Sequence, residues 1–210
     1  MNPGIKRPYS KILRKYNIEN FEDYVFQYQD FFCNDIVKEP GLTFEYYDLK
    51  RCFPNAKFVI IVREPKDNIR SILDRLKIPG NLENLIVNDW PELKKSPAWQ
   101  INLDSCWLDY CSKSYIDSLA YRWKLSSDTY LKNKNDFILF KYEDFLANKK
   151  DSIEKLSYKL SLPVKNDITS YVDKQYQPKG NKINNYKKFY GDNLKYIEEH
   201  CIENSKKLGY

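Results

Sequence analysis

Arg63 and Ser71 are the residues whose chemistry stands out first. Arg63 ends an apolar run, Phe58-Val59-Ile60-Ile61-Val62, and Ser71 follows eight residues later. A guanidinium offers a fork of N–H donors with a full positive charge, and a hydroxyl adds a neutral donor. Together with the positive N-terminal end of a helix they suit a phosphate dianion. The plain alternative for the same two residues is a strand-end arginine in a surface ion pair and a serine on a polar helix face.

The sequence around them supplies the elements that would position such a pair. Residues 57–76 read KFVIIVREPKDNIRSILDRL. The apolar run is rich in β-branched residues and lies between Pro54-Asn55 and Pro65, which predicts a strand buried on both faces. Asp67 is the predicted cap of a helix with Ile69, Ile72, Leu73 and Leu76 at helical spacing. Strand, charged turn and amphipathic helix make half of a βαβ unit, and ligands of open α/β sheets bind outside the carboxyl ends of the strands. Arg63 sits at that end.

The rest of the chain reads as further α/β elements. Residues 18–32 carry many aromatics and predict a helix packed on the domain. Residues 35–40 predict a short strand ending in a charged turn, and residues 42–53 a helix with Leu42, Tyr46, Leu49, Cys52 and Phe53 inward. Residues 77–104 hold Pro79-Gly80, Trp90-Pro91 and Ser96-Pro97, a long connection with helical fragments of the kind that forms lids and binding loops. Trp90 and Trp99 within it are candidates either for lining a pocket or for packing the connection down. Residues 107–131 carry the longest helical pattern, residues 137–141 a second apolar strand, and residues 152–160 a helix closing at Leu162-Pro163. A terminal helix follows Gly191.

Composition narrows the function classes. The 210 residues fit one domain, 1–210, with 42% hydrophobic and 30% charged residues and a net charge of +6. That mild excess suits an anionic ligand without demanding nucleic acid, and aromatic and basic residues do not interleave as in RNA-binding motifs. No stretch reaches the length of a membrane span and no secretory signal precedes residue 20. The five cysteines form no CxxC pair, which argues against a zinc site or disulfide framework and for reduced thiols in a cytoplasmic compartment.

Several stretches, in order, resemble the sulfotransferase family. Arg63 and Ser71 resemble the segment that holds the 3′-phosphate of the sulfate donor PAPS (3′-phosphoadenosine 5′-phosphosulfate). Lys38-Glu39-Pro40 stands where many sulfotransferases carry a Lys-x-His or Lys-Thr-Pro turn. Lys141-Tyr142-Glu143-Asp144 is similar to their [Lys/Arg]-Tyr-Glu-Asp-Leu sequence, with an acidic pair at a helix start. Lys179-Gly180 resembles part of their Arg-Lys-Gly, with Pro178 replacing the arginine. Ala120-Tyr121-Arg122-Trp123 is close to an Ala-x-x-Trp pattern on a long helix, and Lys207-Leu208-Gly209-Tyr210 resembles the family's C-terminal ending. These echoes cover residues 35–210.

The resemblance implies a three-layer α/β fold, a parallel β-sheet flanked by helices and related to the P-loop NTPases. It implies Lys38 as the cation near the transferred sulfuryl group and, since the only histidine is His200, Glu39 as the local base, with a solvated Lys-Glu pair at a strand end as the alternative. Arg63, Ser71, Lys179, Gly180 and Trp123 would serve the nucleotide, with a solvated basic turn as the alternative for Lys179-Gly180 and a core tryptophan for Trp123. Glu143 and Asp144 are read as structural. PAPS is the implied donor and PAP (3′-phosphoadenosine 5′-phosphate) its product, with no metal needed because the protein supplies the cations.

One departure matters. The family's first strand and 5′-phosphosulfate loop, Pro-Lys-Ser-Gly-Thr or a relative, have no counterpart here, so the domain is expected to be N-terminally incomplete. Completing the sheet would then fall to a partner segment or an oligomer. Two readings stay open: sulfuryl transfer from PAPS to a hydroxyl or amine, or a non-catalytic relic that binds PAP(S) or serves as an interaction module. A nucleotide kinase is disfavoured because no Gly-x-x-x-x-Gly-Lys-Ser/Thr is present. The acceptor, a small molecule or glycan, would be shaped by residues 77–104.

Overall fold

A computed structural model describes residues 20–174 and 185–210. Lys179 and Gly180 lie outside the described residues. The chain is α/β, with a parallel sheet flanked by helices. Strand β1 (Phe58–Val62) pairs in parallel with β2 (Phe137–Lys141), in a register running from Phe58 opposite Phe137 to Val62 opposite Lys141. These are the two strands of the sheet among the described residues.

β1 is buried on one face rather than two. Ile60 and Val62 are 6% exposed, whereas Ile61 between them is 55% exposed. Side chains alternate across a strand, so the core lies on the Ile60 side and the Ile61 side stays open. A continuous apolar run cannot by itself report which of its faces is covered.

The core forms where α3 (Pro65–Leu76) and α5 (Tyr115–Lys132) pack beside β1, bringing Ile69, Leu73, Ile116, Leu119 and Ala120 against Ile60 and Val62. α8 (Leu194–Lys207) lies along α5 and adds Ile197 and Cys201. Asp117 meets His200, Ala120 meets Cys201 and Ser127 meets Asn204, so the two helices run in the same direction. Asn204 is 5% exposed and donates to Ser127 and Asp128, which satisfies the polar groups this interface buries.

Several element boundaries differ from the sequence reading, each for a local reason. The cap of α3 is Glu64, not Asp67: its carboxylate accepts from the Asp67 N–H at 2.8 Å, and Pro65 takes the first helical position, where no N–H is needed. Residues 35–40 form no strand. Glu39 instead caps a 3₁₀ turn, Pro40–Glu45, by accepting from the Gly41 N–H at 3.0 Å. Helix α2 (Tyr46–Cys52) follows, so the helix expected over 42–53 comes in two pieces.

The aromatic helix α1 (Phe21–Gln27) stops at Tyr28, and a short turn, Gln29–Phe32, follows. The long helix α5 begins at Tyr115, not near Trp107. Asp109 takes a left-handed backbone with φ 56°, and Ser114 caps the helix by accepting from the Asp117 N–H at 3.2 Å. After β2 come α6 (Tyr142–Ala147) and α7 (Lys149–Leu160), the latter capped by Asn148 and closed by Ser161 with φ 59°. The five cysteines are free.

The long connection is anchored at its start. Asn193 donates to the carbonyls of Gly80 and Leu82 at 3.0 and 2.8 Å. A Cβ at Gly80 would meet the Phe189 ring at 2.8 Å, so this close approach requires glycine. Further on, the connection carries α4 (Pro97–Leu103) and shorter helical turns, as its composition predicted.

Candidate functional site

The carboxyl end of β1 is braced from three directions. The Arg63 carbonyl accepts from the Trp123 indole N–H of α5 at 3.0 Å. The next N–H, of Glu64, donates to Glu143 Oε1 at 3.0 Å, and Glu143 Oε2 accepts from the Tyr210 hydroxyl at 2.8 Å. Lys141 lies 5.0 Å from the centre of the Tyr210 ring. Glu143 thus ties the β1 turn to the first helical turn after β2 and to the last residue, the structural part expected of it.

The Arg63 guanidinium sits 4.8 Å over the Tyr142 ring and forms no ion pair among the described residues. A half-buried, stacked guanidinium without a carboxylate partner is a ready anion ligand. Ser71 is exposed on α3. Helical rise separates the two backbone positions by roughly 10 Å, so a group held by both must lie along the first two turns of α3, on the face of Glu64, Asn68 and Ser71.

The helix N-terminus, the third expected element of this phosphate site, is already engaged. The Glu64 carboxylate occupies the Asp67 N–H, and Asp67 itself accepts from Arg70 at 3.2 Å. Burial pushes the Glu64 carboxyl above its ordinary value, against the hydrogen bond from Asp67 and the charge of Lys66. Arg63 and Ser71 thus stand on either side of a helix terminus that presents a carboxyl group. Trp123, 8% exposed with its indole N–H spent on Arg63, acts as a core prop for that residue.

A second group of side chains gathers around the Lys38-Glu39 turn. Lys38 is exposed, and Glu39 is half-buried with one oxygen on the Gly41 N–H. Arg122, the residue before Trp123 on α5, lies close enough for the charge of Glu39 to act on it. Its Nη1 makes a long bond of 3.5 Å to the Asn102 carbonyl, and its Cζ lies 5.6 Å from the centre of the Phe44 ring. Phe44 in turn stands edge-on to Trp107 at 5.3 Å. Burial pushes the Arg122 guanidinium down to about 10, opposed by the charge of Glu39, so it remains a cation at neutral pH. α5 thereby links the two groups, with Trp123 under Arg63 and Arg122 beside Glu39.

A cleft of about 320 Å³ opens between the long connection and the segment before α5, lined among others by Leu85, Val87, Leu103, Cys106, Lys113 and Tyr115. Trp90 and Trp99 do not line it. They pack against the core, Trp99 also beneath Arg75 at 5.9 Å. The Tyr115 hydroxyl donates to the Pro79 carbonyl and accepts from the Leu82 N–H at 3.2 Å, and burial pushes it up to about 12. Asp117, 1% exposed, fixes the other wall: it accepts from the Lys113 N–H at 2.7 Å, the Tyr110 hydroxyl at 2.9 Å and His200 at 2.7 Å.

Sequence reasoning passed over Glu64, Arg122 and the Asp117–His200–Tyr110 cluster. Arg122 did carry a signal: a cation three residues after Leu119 and next to Trp123 falls on the inward stripe of α5, where charge is costly unless used. Among the described residues, no helix is long and apolar enough to cross a membrane and no cluster of His, Cys, Asp and Glu could hold a metal ion.

No curated protein and no solved structure matches the chain. A sequence model of the sulfotransferase family does, over residues 9–166. That span includes Lys38, Glu39, Arg63, Ser71, Arg122 and Trp123, and it begins well before the residues in which the motifs are recognisable by eye. With most of its length matched and a parallel sheet flanked by helices, the chain belongs to the sulfotransferase family.

Proposed function

We propose that this chain binds PAPS and directs its sulfuryl group to the hydroxyl or amine of a small-molecule or glycan acceptor. The observation that carries the reading is the Arg63 guanidinium, free of carboxylate partners among the described residues, at the carboxyl end of β1 and fixed through its backbone by Trp123. In this reading Arg63 and Ser71 grip the 3′-phosphate, the feature that separates PAPS from other adenine nucleotides. Lys179 and Gly180, outside the described residues, are assigned to the same nucleotide on the family resemblance alone.

Bound PAPS would supply an activated sulfuryl group and leave as PAP. The chain's own part is positioning and charge. Glu39 accepts the proton of the acceptor nucleophile, and exposed Lys38 offsets negative charge on the transferred group. The cleft beside residues 77–104 receives the acceptor, with Tyr115 and Asp117 keeping its walls in register.

A second reading, nucleotide binding without transfer, is favoured by Glu64 at the α3 terminus and by the lack of a Ser-Gly-Thr loop in the sequence. Calorimetric titration with PAP, using AMP as control, tests the nucleotide reading that both share. Tight binding that depends on the 3′-phosphate is expected; equal or absent binding of both by the folded chain would overturn it. Incubation with radiolabelled PAPS and a panel of hydroxyl and amine acceptors then separates transfer from binding alone.

A further inference from the structure

Arg122 is a half-buried cation whose Nε is closed to solvent and whose hydrogen bonding is unfinished among the described residues. A guanidinium carries five N–H donors. Among the described residues this one makes a single bond, the 3.5 Å contact from Nη1 to the Asn102 carbonyl, at the outer limit for such a bond. Its Nε is closed to solvent and has no partner. Buried donors without partners are uncommon, and each calls for an explanation such as a bound ion or a catalytic role.

The surroundings indicate what would complete it. The edge formed by Nε and Nη2 is the side of the fork that holds an oxyanion with two parallel bonds, and neither nitrogen bonds to a described residue. Phe44 stands against the guanidinium, which limits hydration and orients its plane. Among the described residues the charge that acts on it is that of Glu39, which spends an oxygen on the Gly41 N–H rather than on Arg122. The cation is thus balanced at a distance and left without a bidentate partner, unlike Arg70, which pairs with Asp67 and Asp74 on α3.

We infer that Arg122 is an oxyanion-binding residue, its Nε–Nη2 edge receiving a tetrahedral oxyanion of the sulfate type beside Glu39. Its identification as the sulfuryl group in transfer rests on the function proposed above; the binding itself does not. In that setting Arg122 would hold the sulfuryl oxygens from α5 while Glu39 next to it takes the acceptor proton. The cation and the base would then be coupled through α5 to Trp123 and Arg63.

The test is nuclear magnetic resonance of the arginine Nε–Hε groups in the full ¹⁵N-labelled chain, titrated with inorganic sulfate. Through-bond assignment in the wild-type protein identifies the Arg122 and Arg63 signals, so no variant has to fold for the result to count. The expected result is a saturable shift of the Arg122 signal with sulfate and none with chloride at equal ionic strength. Arg122→Lys should weaken sulfate binding read at the Gly41 amide by about tenfold, since lysine keeps the charge and loses the fork. An Arg122 signal that ignores sulfate, or follows chloride equally, overturns the inference. A PAP titration of the same sample separates the two ideas. If sulfate saturates the Arg122 signal but PAP leaves Arg63 unmoved, the donor reading fails and this one stands.

Discussion

The Trp123 indole N–H donates to the Arg63 carbonyl at 3.0 Å, joining the middle of the longest helix to the end of the first strand. Arg63 owes its place to this bond as much as to the β-ladder, because the chain turns away into α3 just after it. Trp123→Phe keeps an aromatic ring in the core but leaves that carbonyl without its donor. The expected cost is about 1–2 kcal/mol of stability, read as a shift of the urea midpoint at constant slope. PAP binding should weaken with it even though every side chain assigned to the nucleotide is intact. Unchanged PAP affinity at reduced stability would reduce Trp123 to packing alone.

Arg63→Ala tests the phosphate ligand directly. Removing a charge-assisted, forked contact should weaken PAP binding by about 2 kcal/mol, roughly thirtyfold, and leave AMP nearly untouched. Stability should change little, because the guanidinium forms no ion pair among the described residues and only stacks on Tyr142. Parallel losses for PAP and AMP would show that Arg63 supports the fold rather than the 3′-phosphate.

Glu64 provides a prediction of opposite sign. Its carboxyl caps α3 from the position a bound phosphate would prefer, so Glu64→Gln keeps an acceptor for the Asp67 N–H while deleting the charge. PAP affinity should rise by roughly 1 kcal/mol, about fivefold, in low salt, with a smaller gain at high ionic strength. Burial raises the Glu64 carboxyl above its ordinary 4.5, so the folded state holds this proton more tightly than the unfolded one. The stability linked to it is complete below pH 4.5 and is lost as pH rises through the higher folded value. That segment of the pH–stability curve should be missing from Glu64→Gln, and its persistence there would assign it to another carboxyl.

What the sequence disclosed, and what it hid, follows from the range of the forces involved. β1, α3 and β2 were readable because short apolar runs and 3.6-residue spacing are local signals. The positions of Arg63 and Ser71, after β1 and on α3, were readable because their spacing runs along one strand–turn–helix. The cap of α3 is Glu64 and not the expected Asp67 because of competition within one turn: Pro65 fits the first helical position, which places the cap one residue ahead of it. The strand expected at residues 35–40 depended on partners that sequence does not name, and Glu39 satisfied Gly41 locally instead. Arg122 was hidden for a different reason. Its meaning comes from Asn102, Phe44 and Glu39, which lie 20 to 83 residues away in the chain.

Tyr115 offers an alkaline test of the wall between the cleft and the core. Its hydroxyl, 4% exposed at the residue level, donates to Pro79 and accepts from Leu82, and burial pushes it from the ordinary 10 up to about 12. The folded state therefore keeps this proton where the unfolded chain has released it. The associated stability is complete below pH 10 and falls as pH rises toward 12, by at most roughly 2.7 kcal/mol over that interval. Tyr115→Phe should begin less stable by about 1–2 kcal/mol, because the Leu82 N–H and Pro79 carbonyl lose their partner. It should also show a shallower decline between pH 10 and 12, with lysine titration common to both proteins cancelling in the comparison. Urea midpoints at pH 9, 10 and 11 measure both effects. Parallel curves would mean that the Tyr115 proton is not held by the fold, and that the start of the long connection is fixed instead by Asn193 and the contact of Phe189 with Gly80.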